Sequence, residues 1–140
     1  MAGAPRNILP AESEAVIASD VKIQVDKVYK IFGNRPDDAL AELRAGAQKA
    51  EVLQKTGCIV GLKDIDFSIH CGETFVIMGL SGSGKSTLIR HFNRLIEPTA
   101  GRILVDGRNI MEMNAKELLA FRRNGISMVF QRFGLLPHQT

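Results

Sequence analysis

The chain has few of the residues that mark specialised classes of protein. Its 140 residues include no tryptophan, one tyrosine and two cysteines, and aromatic residues make up 6%. Cys58 and Cys71 form no C-x-x-C pattern or other metal-ligand spacing, which excludes a zinc ribbon and a disulfide-rich secreted scaffold. We therefore expect two reduced thiols in one domain, or in part of one.

Strong charge and long apolar runs are also missing. The formal net charge is only +3 and the basic residues are scattered, so we expect no nucleic-acid partner. The longest apolar run, Phe75–Leu80, is far shorter than the roughly 20 residues that a transmembrane helix needs. Residues 1–20 contain Glu12 and Glu14 and lack the apolar core of a signal peptide. Their Pro5, Pro10 and small polar residues predict a flexible leader.

A glycine-rich motif, in contrast, is present in full. The sequence G-L-S-G-S-G-K-S-T fits the pattern G-x-x-x-x-G-K-[ST] at every fixed position. The apolar run Thr74–Met78 before it predicts a buried strand, and Leu88–Leu95 after it predicts a helix, which is the context in which this motif binds nucleoside triphosphates. The predicted nucleotide-binding residues are Gly79, Leu80, Ser81, Gly82, Ser83, Gly84, Lys85, Ser86 and Thr87.

The chemistry of this loop is electrostatic. The glycines allow the backbone to approach a polyphosphate closely, and successive N–H groups together with the helix N-terminus attract its negative charge. Lys85 offers an ammonium to the β- and γ-phosphates, and is therefore a predicted catalytic residue. The Ser86 hydroxyl is a predicted Mg²⁺ ligand, and the Thr87 hydroxyl is expected near the α-phosphate.

The first half of the chain predicts a strand, a helix and a second strand. Val21, Ile23 and Val25 alternate with polar residues, and the apolar content continues to Gly33. The stretch from Pro36 to Lys55 has helical spacing of apolar residues and predicts one amphipathic helix, weakened at Gly46. Alternation returns from Leu62 to Ile69.

The rest of the chain predicts a helix from Lys85 to near Ile96, followed by shorter elements. Arg102–Val105 predicts a strand that turns at Asp106-Gly107, a strong hairpin signal. Asn114 and Glu117 resemble a capping box that opens a helix through Arg123. Ile126–Phe130 predicts a buried strand that delivers Gln131.

These motifs, in this order, resemble a known family. An early strand with an aromatic before glycine is followed by the glycine-rich motif, then L-I-R-x-x-N-R-L-I-E-P-T-x-G, V-D-G and I-S-M-V-F-Q. The chain resembles the N-terminal half of an ABC transporter nucleotide-binding domain over residues 21–140. A helical insertion at about 34–58, with its segment E-V-L-Q-K-T-G, makes it most similar to the ATPase subunits of glycine betaine/proline (quaternary amine) importers.

This resemblance implies an α/β fold: a P-loop NTPase core with an antiparallel β subdomain, ending just after the glutamine loop. It implies that ATP and Mg²⁺ are the cofactors. Phe32, or alternatively Tyr29, would stack on adenine. Gln131 would position the attacking water and Mg²⁺.

The same resemblance implies partners and a location. These are a second copy of the nucleotide-binding subunit, transmembrane permease subunits, and indirectly an extracytoplasmic solute-binding protein. The chain would lie peripherally on the cytoplasmic face of the membrane. The protein would couple ATP hydrolysis to uptake of a compatible solute.

The sequence departs from the family pattern after Gln131. The signature motif, the Walker B aspartate, the following glutamate and the switch histidine do not occur in the 140 residues, so we expect this chain alone to hydrolyse ATP negligibly. Two other hypotheses remain, an unrelated P-loop NTPase or kinase and a non-catalytic nucleotide-binding module. The early aromatic and I-S-M-V-F-Q argue against the first of these, and the short length of the chain favours the second.

Overall fold

In the computed structural model, residues 20–130 are described. The leader predicted at 1–20 and the predicted role of Gln131 therefore fall outside this range, apart from Asp20. The elements in chain order are β1 (Val21–Phe32), α1 (Pro36–Arg44), α2 (Lys49–Thr56), β2 (Ile59–His70), α3 (Lys85–Phe92), β3 (Ala100–Val105), β4 (Arg108–Asn109), a 3₁₀ turn (Ile110–Glu112) and α4 (Ala115–Asn124).

The strands form one antiparallel sheet in the order β2-β1-β3-β4. β1 is central because its long alternating sequence pairs with β2 on one side, as in Val25↔Phe67, and with β3 on the other, as in Ile23↔Val105. This sheet is the antiparallel β subdomain that the sequence predicts. The Asp106-Gly107 hairpin is confirmed as the link between β3 and β4, with φ of +50° and +72° at its two central residues.

The pairing of β1 with β2 contains an irregularity that matters for the site. Lys30 pairs with Leu62, but the next residue, Ile31, pairs with Val60. Gly61 is thus an extra residue on β2, which makes a β-bulge at this point. A bulge bends and twists a strand locally, so the end of β2 near Ile59 runs in a different direction from the rest of the strand.

Apolar side chains form two clusters against the sheet. The larger cluster joins β1, β2 and β3 to α3 and the 3₁₀ turn. Its buried members are Val25, Val28, Leu62, Leu88, Phe92, Ile103, Val105, Ile110 and Met113. The smaller cluster joins α1 and α2 to the ends of β1 and β2, and its buried members are Ile31, Ala39, Leu40, Leu43, Val52, Cys58 and Val60.

The single helix predicted from Pro36 to Lys55 is wrong, because the structure has two helices in this segment. α1 ends at Arg44 and α2 begins at Lys49. Gly46 takes a φ of +99°, a conformation that a helix cannot contain, and a capping box between Gln48 and Glu51 starts the second helix. The glycine therefore ends the first helix instead of merely weakening one long helix.

The strands predicted at Thr74–Met78 and Ile126–Phe130 are not formed either. Both segments lack regular secondary structure, and Val76 and Val129 are 68% and 96% exposed. A strand is defined by its pairing with a neighbour, and no strand within residues 20–130 pairs with either segment. Local apolar content alone does not make a strand.

The structure also defines the end of α3 and the start of α4. The helix after the glycine-rich loop ends at Phe92 instead of near Ile96, because Arg94 takes a φ of +53°. The predicted cap of α4 is confirmed: the Asn114 side chain accepts from the N–H groups of Lys116 and Glu117, and the Glu117 carboxylate accepts from the Asn114 N–H. Within residues 20–130, no helix has the length and apolar character needed to cross a bilayer.

Candidate functional site

The glycine-rich loop leads directly into α3. Gly82 and Gly84 have φ of +78° and +94°, values that L side chains rarely adopt. Gly84 is the N-cap of α3, and its carbonyl accepts the first helical hydrogen bond from the Leu88 N–H at 2.8 Å. The first-turn N–H groups of α3 have no partners within the helix, and they face the end at which the helix dipole is positive.

Two glycines of the loop are in such close contact that a Cβ would not fit. A Cβ on Gly79 would lie 2.6 Å from the Ser83 Oγ, and one on Gly84 would lie 2.7 Å from the backbone oxygen of Gly61. The loop is therefore folded tightly on itself and against β2. A glycine-rich phosphate cradle requires a closely folded backbone without side chains at these positions, so these residues fit the polyphosphate that the motif predicts.

The side chain of Lys85 folds back over the loop. Its Nζ donates hydrogen bonds to the backbone oxygens of Gly79 and Leu80, both at 2.7 Å, and lies 3.4 Å from the Ser83 Oγ. The carbonyl oxygens carry partial negative charge, so they hold the ammonium at the loop. The structure thus places the predicted cation beside the predicted cradle.

A cavity of about 370 Å³ lies between the loop and the ends of the two long strands. Its volume is within the range of small-molecule sites. Gly79 and Leu80 do not line it and contribute instead their carbonyls to Lys85. The lining residues are Phe32, Ile59, Val60, Gly61, Ser81, Gly82, Ser83, Gly84, Lys85, Ser86 and Thr87.

The two candidate aromatic residues occupy different places. Phe32 is 41% exposed and lines the cavity together with the loop. Tyr29 packs instead against the smaller cluster, with the Arg44 guanidinium 6.0 Å from its ring centroid. Burial, and secondarily the nearby Asp64 carboxylate, raises the pKa of Tyr29. Of the two rings, only that of Phe32 is available to the cavity.

The side chain of His91, in the last turn of α3, binds the first turn of the same helix. Its ring is fully buried, and the Nδ1 lies 2.7 Å from the Thr87 carbonyl oxygen. Because a carbonyl can only accept, Nδ1 carries a proton, and in the neutral ring Nε2 therefore has none; within the described residues Nε2 has no hydrogen-bond partner. Burial lowers the pKa of His91, the bond to Thr87 opposes this, and the charge of Lys30 adds to the lowering.

Sequence reasoning missed two residues beside the cavity. Gly61 touches both the Phe32 ring and the glycine-rich loop, and the Lys30 ammonium lies 5.2 Å from the centroid of the Phe32 ring. For Gly61 a signal was available, because an isolated glycine in a strand pattern indicates a bulge or a close backbone approach. For Lys30 there was none, since a polar residue in an alternating strand is unremarkable.

A comparison with known protein families tests the family relationship that these features indicate. The family described as "ABC transporter" matches residues 62–140, which is more than half of the chain. The chain belongs to the ABC transporter family. The resemblance predicted from the sequence is therefore confirmed.

Curated relatives in the ABC transporter family match most of the chain. The glycine betaine transport ATP-binding protein OpuAA of Bacillus subtilis is 55% identical over 120 residues, covering 86% of this chain and 29% of that protein. The glycine betaine/proline betaine ATP-binding protein ProV of Salmonella typhimurium is 51% identical over 120 residues, 86% of this chain and 30% of that protein. The chain thus spans less than a third of the length of these relatives.

The solved structures support the fold. A dimeric, post-hydrolysis structure of the ATP-binding cassette MJ0796 bound to ADP and Pi matches with a TM-score of 0.61 and 30% identity. The match covers 84% of this chain and 42% of that one. The predicted fold class, an ABC-type P-loop NTPase with an antiparallel β subdomain, is confirmed.

Proposed function

We propose that the chain binds ATP in the cavity beside the glycine-rich loop, as part of the ATP-binding subunit of an importer for quaternary amines such as glycine betaine or proline. The observation that carries this proposal is its identity of 51–55% to glycine betaine transport ATP-binding proteins over 120 residues. A stretch of that length in a chain of 140 residues includes the segment 34–58, so the similarity extends well ahead of the family match that begins at Leu62.

The triphosphate would be held by the loop Gly79–Thr87, with the backbone N–H groups and the helix dipole supplying the positive field. Lys85 would exchange its bonds to the Gly79 and Leu80 carbonyls for the β- and γ-phosphates. Ser86, in the first turn of α3, and Gln131 are the residues that would hold Mg²⁺. When bound, the ion supplies charge neutralisation of the phosphates.

The adenine base would stack on Phe32. The support for this role is its position on the cavity, whereas Tyr29 packs against the smaller cluster. Gln131 follows the described residues directly, and its proposed role is to orient the attacking water through its amide, as glutamine does in other phosphoryl-transfer enzymes.

The partners proposed for the complete protein are those of an importer. Two nucleotide-binding subunits would associate and act on transmembrane permease subunits, which receive solute from a binding protein. The subunit would therefore sit peripherally on the cytoplasmic side of the membrane. The dimeric state of the MJ0796 structure supports the first of these associations.

ATP binding is tested by calorimetric titration of the chain with MgATP and MgGTP, before and after Lys85→Ala. We expect ATP affinity to fall at least about tenfold in this variant, since a charge-assisted contact to phosphate is lost. Lys116→Ala is the matched control, because Lys116 is exposed on α4 and does not line the cavity. Unchanged affinity in Lys85→Ala would refute the site.

The transport role requires a cellular test. The coding sequence would be disrupted in the source organism, and uptake of labelled glycine betaine and proline would be measured at high osmolarity. We expect the uptake of at least one of these two solutes to fall. The complete gene should restore this uptake, and the gene that carries Lys85→Ala should not. Normal uptake of both solutes after disruption would reject the importer assignment while leaving ATP binding intact.

A further inference from the structure

Gly61 lies between the two parts of the cavity that the proposed function assigns to the base and to the phosphates. A Cβ at this position would lie 2.8 Å from Cε2 and 3.4 Å from Cδ2 of the Phe32 ring. The third neighbour is the backbone oxygen of Lys30, at 3.4 Å. The Phe32 ring therefore rests directly on the backbone of β2, in the space that any side chain at Gly61 would fill.

The same residue also contacts the glycine-rich loop. The Gly61 backbone oxygen lies 2.7 Å from the position of a Cβ on Gly84, and the Leu62 Cδ2 lies 3.1 Å from it. Gly84 in turn begins α3. The backbone of one residue thus fills the gap between the ring of Phe32 and the N-terminus of the helix that follows the loop.

The bulge explains how the backbone of Gly61 can contact both the Phe32 ring and the glycine-rich loop. Gly61 is the extra residue between the pairs Lys30↔Leu62 and Ile31↔Val60, so the local ladder is interrupted there. On β1, the Lys30 side chain is held by the Glu97 carbonyl oxygen at 2.8 Å, with its ammonium near the Phe32 ring. The ring therefore has a neighbouring group on each of the two strands.

We propose that Gly61 is a positioning residue for nucleotide binding, which sets the height of the Phe32 ring above β2 and thereby its distance from the phosphate loop. The inference rests on the proposed ATP site. A bound nucleoside triphosphate needs its base platform and its phosphate cradle at one fixed separation. Gly61 contacts both the Phe32 ring and the glycine-rich loop and has no side chain, so its backbone determines the distance between the ring and the loop.

Replacing Gly61 by alanine isolates this effect. Gly61 does not have a positive φ, so alanine causes no backbone strain there. The tight contact is with the far end of an exposed aromatic ring, which can swing away, and not with backbone. We therefore expect the Gly61→Ala variant to keep the fold while the Phe32 ring moves away from its position on β2.

The test is a double-mutant cycle on the chain, with Gly61→Ala, Phe32→Ala and the double variant titrated with MgATP and with inorganic tripolyphosphate. We expect Gly61→Ala to weaken ATP binding about tenfold, the size of a lost base–aromatic stack, and to leave tripolyphosphate binding within about twofold of wild type. In the Phe32→Ala background, Gly61→Ala should have no further effect on ATP.

The outcomes separate this inference from the function on which it rests. If the wild-type chain binds neither ligand, the proposed ATP site fails and Gly61 has no role. If the wild type binds ATP but Gly61→Ala binds it equally well, only the positioning role is overturned. Equal loss of ATP and tripolyphosphate binding, or a full loss that persists without the Phe32 ring, would also overturn it, because the added methyl would then act on the loop or the fold.

Discussion

The guanidinium of Arg122, on α4, donates a hydrogen bond from Nε to the backbone oxygen of Asn93, the residue that caps α3, at 2.9 Å. A second bond runs from its Nη2 to the Arg94 oxygen, also at 2.9 Å. The last carbonyls of a helix lack partners and carry its negative dipole charge. The cationic side chain of Arg122 thus binds carbonyls at the end of the helix that follows the glycine-rich loop.

We predict that Arg122→Ala lowers the free energy of unfolding by roughly 1 to 2 kcal/mol, less than a buried charged hydrogen bond would give because the side chain is exposed. Urea denaturation of the chain measures this. Arg123→Ala is the control: Arg123 is the next residue and is exposed, and within the described residues its side chain makes no hydrogen bond. Equal stability of the two variants would show that the bonds to α3 contribute nothing.

The parts of the fold that the sequence predicts well are those determined locally. The Asp106-Gly107 turn, the Asn114 cap and the long alternation of β1 each follow from the residues at that place. The glycine-rich motif is also local, because it carries its own turn and helix signals. For this reason the turn and the helix that follows it could be predicted from the amino-acid sequence alone, whereas the binding of phosphate by this loop stays a prediction.

The two strands that were predicted wrongly depend on partners elsewhere in the chain. Thr74–Met78 and Ile126–Phe130 have strand-like sequences, yet within residues 20–130 neither has a neighbouring strand. Phe75 nevertheless stacks on Phe67, with ring centroids 4.7 Å apart. This side chain therefore has a packing partner although its segment pairs with no strand within residues 20–130. The role of Gly61 was likewise hidden, since it arises from contacts to two segments that are distant in sequence.

The crowding at Gly84 leads to a second prediction. Alanine at Gly84 meets both a φ of +94° and the Gly61 backbone oxygen, whereas alanine at Gly82 meets a φ of +78° but open space. We expect Gly82→Ala to cost about 1 kcal/mol of stability and Gly84→Ala on the order of 3 kcal/mol. Thermal or urea unfolding distinguishes them, and similar losses would indicate that the contact with β2 relaxes freely.

The helices between β1 and β2 provide a third prediction, on packing. Leu43, on α1, is 3% exposed in the smaller cluster, and Leu53, on α2, is 49% exposed. Leu43→Ala should destabilise the chain by about 2 to 5 kcal/mol, and Leu53→Ala by no more than about 0.5 kcal/mol. Urea unfolding measures both. If Leu43→Ala were as mild as its control, the two helices would not be part of the cooperative fold.

Stability should also depend on pH through His91. Its pKa is lowered below the ordinary value of 6.5, chiefly by burial, so the folded state binds fewer protons than the unfolded state as the pH falls through this range. Stability is therefore fully present above pH 6.5 and is lost as the pH falls through the folded pKa. Glu73, whose pKa is lowered by the His70 backbone N–H, affects stability only in more acidic solution.

The measurement is the free energy of urea unfolding at pH values from about 8 to about 5, for the wild type and for His91→Gln. Glutamine keeps an N–H donor but has no titratable proton in this range. We expect the wild type to lose stability across this interval and the variant to show a flatter profile, even if the variant is less stable at pH 8. Identical slopes would mean that His91 takes up its proton as readily in the folded chain as in the unfolded one. The buried ring, with its Nδ1 proton on the Thr87 carbonyl and no partner for Nε2 among the described residues, argues against that result.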